Sequence, residues 1–344
     1  MKKLLAIIVH VVILMVCFIL SACTLNTQEP IDVNDLKIGV TVYNQYDTFI
    51  SELTDELVEY VDIMEEKYGI SITLEILSAN SNQMTQNDQM NYFIEQECDM
   101  VCINLVDRTD VSAIIERGRS ADLPIIFFNR ELVEEDLQRW HKLYYVGANA
   151  FESGIIQGEI LIKKLESDFS DVDKNGDGIL QYVILEGEAG HQDSVVRTMY
   201  VLNTVSEAGY QMEKLGNEIA NWNRDQAKTK MAQWIDVFGE NIEVVFSNND
   251  DMALGAIDAL KEDGYFGENI ALKAPVILGI DGIKPALEAV ERDELLGTVL
   301  NDSSGQARGM LELAYSVVSG KELDEAYELL DGKYIRLPYR EISK

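Results

Sequence analysis

The sequence predicts an α/β fold made of two doubly wound lobes, each a parallel sheet with helices on both faces. Three observations carry this. Apolar strand-like runs alternate with amphipathic helical patterns through the whole body of the chain. The runs are apolar throughout instead of at every second residue, which marks strands buried on both faces. They also fall into two groups that divide near Gly147, in a chain longer than one typical core supports.

In chain order, the first group is IGVTVY (38–43), SITLEIL (71–77), MVCINLV (100–106), PIIFFN (124–129) and YYVG (144–147). The second is YVIL (182–185), EVVFSN (243–248), PVILGID (275–281) and LGTVL (296–300). Apolar residues at helical spacing predict helices such as 49–67, 110–120, 152–166, 194–208, 225–237, 251–262 and 303–319. Among catalytic and nucleotide motifs, the sequence has no P-loop, no G-x-G-x-x-G after a strand and no G-x-S-x-G.

Before this body, Lys2 and Lys3 precede an apolar run from Leu4 to Leu20 and then Leu20-Ser21-Ala22-Cys23. A short basic region, an apolar core and small residues make an export signal rather than a spanning helix. The L-S-A-C ending resembles the bacterial lipobox, which would make Cys23 the lipidated first residue of an extracytoplasmic protein anchored to the outer face of the membrane. Residues 24–35 are polar and aperiodic, so 23–35 reads as a lipid-anchored tether. Losing residues 1–22, with two lysines and no acid, takes the net charge from −32 to −34. Such a chain repels nucleic acid and anionic membrane surfaces. Cys17 leaves with the signal, and Cys102 sits in an apolar run, so Cys98 and Cys102 are read as thiols rather than a disulfide.

One stretch, Asp173 to Arg197, carries two site patterns on one strand. Its first half reads D-x-N-x-D-G, with Asp173, Asn175 and Asp177 at positions 1, 3 and 5, and Gly178 at the turn. This is the calcium-loop signature, in which Ile179 offers its carbonyl and Gln181 an amide oxygen. Position 12 is Ile184, which cannot coordinate. Either the loop is an Asx-rich turn, or a distant carboxylate closes the shell. The second half places His191, Asp193 and Arg197 after the strand, where open α/β sheets bind ligands. Alternatively Asp193 caps a helix and Arg197 is its solvated partner.

The same position after other strands holds Asp47 and Phe49, Asn129, Asn248 with Asn249 and Asp250, Asp281, and Asn301 with Asp302. Asx residues are common in turns, yet one at nearly every strand end exceeds what a core requires. Acceptors interleaved with donors suit a polyhydroxyl ring, whose hydroxyls both donate and accept. Phe49 and Trp222 would supply flat apolar partners for its C–H faces.

The segments IGVTVYNQYDTF, YYVGAN with ESGIIQGE, DKNGDGILQYVILEGEAGHQDSVVRT, WNRDQAKTKM, IEVVFSNNDDMALGAIDALK, LGIDGIKPAL and LGTVLNDSSGQA resemble, in order, those of the bacterial glucose/galactose-binding family of the periplasmic binding protein superfamily. The resemblance implies the type I fold with three hinge crossings, here near Gly147, Asn301 and Gly332. The lobes would be 36–147 plus 302–332 and 148–301 plus 333–344. It implies a sugar held between Phe49 and Trp222, with polar contacts from Asp47, Asn129, His191, Asp193, Arg197, Asn249, Asp281 and Asn301. It implies a calcium ion held by Asp173, Asn175, Asp177, Ile179, Gln181 and, as the distant carboxylate, Glu243. The expected function is capture of glucose or galactose and delivery to an ABC-transporter permease, or alternatively docking on a chemoreceptor or sensor kinase. A monomer without enzymatic activity is expected. A glycosidase is set aside because a site sealed around a free monosaccharide leaves no room for an aglycone. Thr48, where the family often has Asn, and the acids Asp168 and Asp171 before the loop depart from the pattern.

Overall fold

The computed structural model describes residues 31–266 and 273–344, so the export signal and Cys23 lie outside the described residues. The first lobe runs β1 (Asp35–Val42), α1 (Thr48–Tyr68), β2 (Ser71–Ser78), α2 (Gln83–Glu95), β3 (Met100–Ile103), α3 (Ser112–Ala121), β4 (Ile125–Phe128), α4 (Glu134–Leu137) and β5 (Leu143–Gly147). The second runs α5 (Ala150–Ser167), α6 (Phe169–Val172), β6 (Ile179–Glu186), α7 (Gln192–Glu207), β7 (Gln211–Ile219), α8 (Arg224–Phe238), β8 (Val244–Ser247), α9 (Asp250–Glu262), β9 (Val276–Leu278), α10 (Lys284–Glu291) and β10 (Gly297–Leu300). The chain then returns through α11 (Ser303–Ser319) and β11 (Tyr334–Arg336), and ends on β12 (Arg340–Ser343).

Two six-stranded sheets result, ordered β11-β5-β4-β3-β1-β2 and β12-β10-β9-β8-β6-β7. The second order repeats the first, as expected for two doubly wound lobes. The pairings are parallel except β10 with β12, which is antiparallel. β3 and β4 are buried at every position, which is why their sequences read as unbroken apolar runs. Each sheet separates two apolar clusters, one packed on each face. Cys98 and Cys102 are both buried free thiols.

Helix boundaries follow local chemistry. Asp47 caps α1 by accepting from the Ile50 N–H at 2.9 Å, and Gly69 ends it in the left-handed region at φ 67°. Between them, Phe49, Ile50, Leu53, Leu57 and Met64 form the buried stripe.

The lobes are joined at three crossings, at residues 148–149, 301–302 and 337–339. The third differs from the expected position at Gly332. β11 pairs with β5, Tyr334 opposite Tyr145 and Arg336 opposite Gly147, so residues 334–336 belong to the first sheet. Lys333 also sits there, donating through Nζ to the carbonyls of Trp140, His141 and Leu143 at 2.7, 3.1 and 3.0 Å. The first-lobe segment therefore extends to Arg336, and only the run from β12 onward returns to the second.

Packing above β1 makes Gly39 a sensitive position, because a Cβ there would stand 2.5 Å from the fully buried Phe93 ring. Gly39→Ala is expected to lower stability by about 1–3 kcal/mol through overpacking. A reduced urea midpoint with an unchanged slope is the readout, and an unaltered midpoint would show that Phe93 yields freely.

Candidate ligand-binding cleft

In each lobe the strand order reverses direction beside the first strand, between β1 and β3 and between β6 and β8. Ligands of open α/β sheets bind beyond the carboxyl ends at such points. Here the two switch points face one cavity lined by both lobes. Tyr43, Asp47, Phe49, Asn129 and Arg130 line it from the first lobe, and His191, Asp193, Arg197, Trp222, Asn249 and Asp281 from the second.

Asn301 is the exception among the predicted contacts. It is buried at the second crossing, where its Oδ1 accepts from Gln306 Nε2 at 2.8 Å and its N–H donates to the Asp281 carbonyl at 3.0 Å. It ties the hinge to the Asp281 loop without lining the cavity. Tyr43 and Arg130 line it although the sequence reading did not pick them out: Tyr43 reads as the end of a strand, and Arg130 is one residue beyond the strand-end Asn129.

On the first-lobe side, the Tyr43 hydroxyl donates to Asp47 Oδ2 at 2.5 Å, while the other carboxylate oxygen caps α1. Burial, and then the adjacent Asp47 charge, push the Tyr43 phenol far above its ordinary value. The Arg130 guanidinium stacks 3.5 Å from the Tyr43 ring centroid. Asn104 fixes this wall from beneath, accepting from the Tyr43 N–H at 3.3 Å and donating to Asn129 Oδ1 at 3.1 Å.

On the second-lobe side the cap of α7 is His191, whose Nδ1 accepts from the Asp193 N–H at 3.1 Å. Burial, together with Arg130 and Arg197, holds the imidazole well below its usual value, so it is neutral and carries its proton on Nε2. With the cap supplied by His191, the Asp193 carboxylate is left to face the cavity. Arg197 is buried rather than solvated: Nη1 donates to the Asn248 carbonyl at 2.7 Å and Nη2 to the Tyr339 hydroxyl at 3.3 Å. Its charge stands 3.5 Å from Asp193 and 3.6 Å from Asp281. Burial pushes both carboxyls up, against the opposing pull of Arg197. Arg197 Nε is buried with no hydrogen-bond partner among the described residues.

Backbone strain gathers at the same place. Asn129, Trp222 and Asp281 have φ of 57°, 60° and 126°, a region that side-chain-bearing residues rarely occupy. Trp222 lies so close to the turn after β6 that a Cβ on Gly187 would come within 2.1 Å of its ring. The Asp281 turn is held by the buried Asp250 carboxylate, which accepts from the Gly282 and Ile283 N–H groups at 2.7 and 3.0 Å and from Thr298 Oγ1 at 2.6 Å. Asn249 caps α9 through Oδ1 and points Nδ2 at the Trp222 carbonyl, 3.4 Å away.

Two side-chain contacts hold the lobes in a closed arrangement. Arg130 Nη2 pairs with Glu188 at 2.9 Å, and Thr48 donates to Asp251. Thr48, the departure noted in the sequence, is thus a lobe-to-lobe contact. The remaining departures serve the second lobe itself: Asp168 caps α6, and Asp171 pairs with Lys164 and Lys273.

At the opposite end of β6, the 173–181 loop folds onto Glu243. Glu243 accepts from the N–H groups of Lys174 and Gln181 at 2.6 and 3.0 Å. Asn175 Nδ2 donates to Gln181 Oε1, and Gln181 Nε2 to Asp177 Oδ2, each at 3.0 Å. The set is all hard oxygen donors, which fits calcium. Among the described residues, however, no three His, Cys, Asp or Glu side chains converge closely enough to hold a metal by themselves. The loop carboxylates accept from the loop's own N–H groups, and a shell here depends on the Asn175, Gln181 and Ile179 oxygens as well.

Two like lobes, hinged at three crossings and closed on a polar cavity, define a protein that captures a small solute between its halves. A family profile for the periplasmic binding protein domain matches residues 38–322, and the chain belongs to that family. It is 36% identical over 313 residues to the D-galactose/methyl-galactoside binding periplasmic protein MglB of Haemophilus influenzae, covering 90% of each chain. It is 29% identical over 289 residues to a xylitol-binding protein of Mycolicibacterium smegmatis, covering 83% of this chain and 73% of the other. An ABC transporter solute binding protein from Bacillus halodurans, solved with bound myo-inositol, superposes with a TM-score of 0.73 at 25% identity, covering 91% and 96%. The family is one of extracytoplasmic binding proteins rather than enzymes. Among the described residues no helix is long and apolar enough to cross a membrane.

Burial pushes the Asp250 carboxyl up to about 7, against the three hydrogen bonds that favour its charged form. A raised carboxyl contributes stability below its unfolded value of about 4, and that contribution is lost as pH rises through the folded value. The unfolding free energy of the wild type minus that of Asp250→Asn is therefore expected to fall between pH 4 and about 7. A difference that stays flat over that window in urea titrations would mean that Asp250 is ionised throughout.

Proposed function

We propose that the cavity binds an aldohexose, glucose or galactose, and that the loaded, closed protein hands it to the permease of an ABC-type importer. The observation that carries this is the pairing in one closed cavity of carboxyl acceptors (Asp47, Asp193, Asp281) with donors (Arg197, the His191 Nε2–H, amide NH2 groups), lined also by Phe49 and Trp222. A sugar's hydroxyls satisfy both kinds of group and its C–H faces pack on rings. The relative with 36% identity is named for D-galactose and methyl-galactoside, which supports the hexose over the pentoses and polyols named for more distant relatives. Capture works by population shift: a ligand touching both lobes favours the closed state by its differential contacts.

Calcium in the 173–181 loop closed by Glu243, and lipid on Cys23, complete the reading. The ion would staple the second lobe without touching the sugar, and the lipid would keep the protein at the outer face of the membrane.

Asp193→Ala is expected to weaken hexose binding about 100-fold or more, since two charge-assisted hydrogen bonds at roughly 1.5–3 kcal/mol each are removed. Unaltered affinity in a calorimetric titration would sink the assignment of the site. For the loop, a chelator is expected to lower the melting temperature and added calcium to restore it, as linkage requires. Identical melting curves, with no calcium found by metal analysis, would remove the ion from the account.

A further inference from the structure

Tyr339 is the last residue of the third crossing, and the chain is held on both sides of it. The Leu337 N–H donates to the Gly147 carbonyl at 2.9 Å, and Arg340 begins β12 opposite Leu300, next to the second crossing. The Tyr339 ring is buried in the apolar cluster that includes Leu278, Ile280 and Val299. A phenylalanine ring would fill that place as well, and a buried hydroxyl is costly without a hydrogen bond. The bond it makes is to the cleft, where its oxygen accepts from Arg197 Nη2 at 3.3 Å. The hydroxyl therefore serves Arg197 rather than the core.

Two neutral acceptors fix the guanidinium, the Asn248 carbonyl on Nη1 at 2.7 Å and the Tyr339 hydroxyl on Nη2. The carboxylates stand further off, Asp193 at 3.5 Å from Nη2 and Asp281 at 3.6 Å from Nη1. Burial pushes the Tyr339 phenol up to about 12 against the pull of Arg197, so at neutral pH it is an uncharged hydroxyl. It orients the cation without neutralising it. With the Nη1 anchor alone, the guanidinium is free to turn about that bond, and the gap to Asp193 closes to a charge-assisted hydrogen bond of about 2.7–2.9 Å. Asp193 and Arg197 then satisfy each other. A solute would have to break that pair before bonding to either.

We propose that Tyr339 is a positioning residue for solute capture, whose hydroxyl holds Arg197 back from Asp193 and so leaves both groups open to the solute. It acts through Arg197 and is not among the residues that line the cavity. Its effect on affinity rests on the hexose reading of that cavity, whereas its effect on Asp193 does not.

The test compares the wild type with Tyr339→Phe, which removes the hydroxyl and keeps the ring. Titration calorimetry with glucose and galactose is expected to show binding weakened about 10-fold, the order of one hydrogen bond to a charged group. The urea midpoint of the sugar-free protein is expected to hold or rise, because the Arg197–Asp193 pair replaces the lost bond. The third readout is the titration of the Asp193 carboxyl, followed by NMR of isotope-labelled aspartate and assigned with Asp193→Asn. That carboxyl faces His191 and Arg197 on its own element, Arg130 and Arg108 from the first lobe, and Tyr145 and Tyr339 beside the crossings. Burial holds it above the ordinary carboxylate value, and in Tyr339→Phe it is expected to titrate at lower pH as Arg197 closes on it. Unchanged hexose affinity overturns the proposal, as does an unshifted Asp193 titration. Weaker binding together with a lower urea midpoint assigns the hydroxyl to the fold and overturns it too. Should the wild type bind neither sugar, the hexose reading falls, and the Asp193 titration decides alone: a lowered value supports Tyr339 as the residue that holds Arg197 off, and an unshifted one removes it.

Discussion

The cleft is organised around one buried cation. Arg197 projects from α7 into a place where the ends of β8 and β9 and the third hinge crossing also arrive, and it contacts each of them, through Asn248, Asp281 and Tyr339. A buried charge is costly unless it is paired and hydrogen-bonded. Here one positive charge is shared between two carboxylates, neither within hydrogen-bonding distance, and the Nε–H has no acceptor among the described residues. The protein alone leaves the group incompletely satisfied. A solute bringing hydroxyls between Asp193, Asp281 and Arg197 removes a penalty already present, so affinity comes partly from relief of that cost as well as from new contacts.

Fold and hinge make that cation useful. The duplicated strand order brings two switch points together, so acceptors and donors need not come from one element. The contacts that close the lobes are modest by comparison. Glu188 keeps nearly half of its side chain exposed at 45%, so its pair with the buried Arg130 is partly screened by solvent. The Thr48–Asp251 bond carries an opposing cost, because burial and the neighbouring Asp47 push the Asp251 carboxyl up. A solute spanning both halves would add contacts to the closed state alone and so favour it.

Much of this was legible in the sequence, and the reasons are local. Both-faces-buried strands announce themselves as apolar runs, and a ligand-facing residue after such a strand is found by counting. Elements without that pattern were not found. β7 is an edge strand with exposed positions along its length, and β11 has three residues, Tyr334 and Arg336 flanking one buried Ile335. Without β11, the third crossing was placed at Gly332, which has the φ of 66° typical of a turn but only leads into the strand. Asn301 followed the strand-end rule and still failed it, since its side chain turns to Gln306 across the hinge. The strained conformations at Asn129, Trp222 and Asp281 leave no trace in residue type alone, because Asn and Asp are common in turns and nothing marks a Trp for positive φ.

The 173–181 loop is joined to the cleft through the strand that it precedes. The loop enters β6 at Ile179, and Glu243 lies immediately before β8, so bonds from Glu243 to the Lys174 and Gln181 N–H groups join the starts of two neighbouring strands. β6 and β8 are then in fixed register, Tyr182 opposite Val244 through Leu185 opposite Ser247. Both run to the cleft, where β6 leads to His191 and Asp193, and β8 to Asn248 and Asn249. A one-residue slip would turn every side chain of a strand to the other face, and it would also move the Asn248 carbonyl away from Arg197. Stapling the far ends, roughly 25 Å away at about 3.3 Å per strand residue, is therefore a means of fixing the near ones. The two patterns that meet on this one strand, a metal-type loop before it and ligand-type residues after it, act on each other through its register.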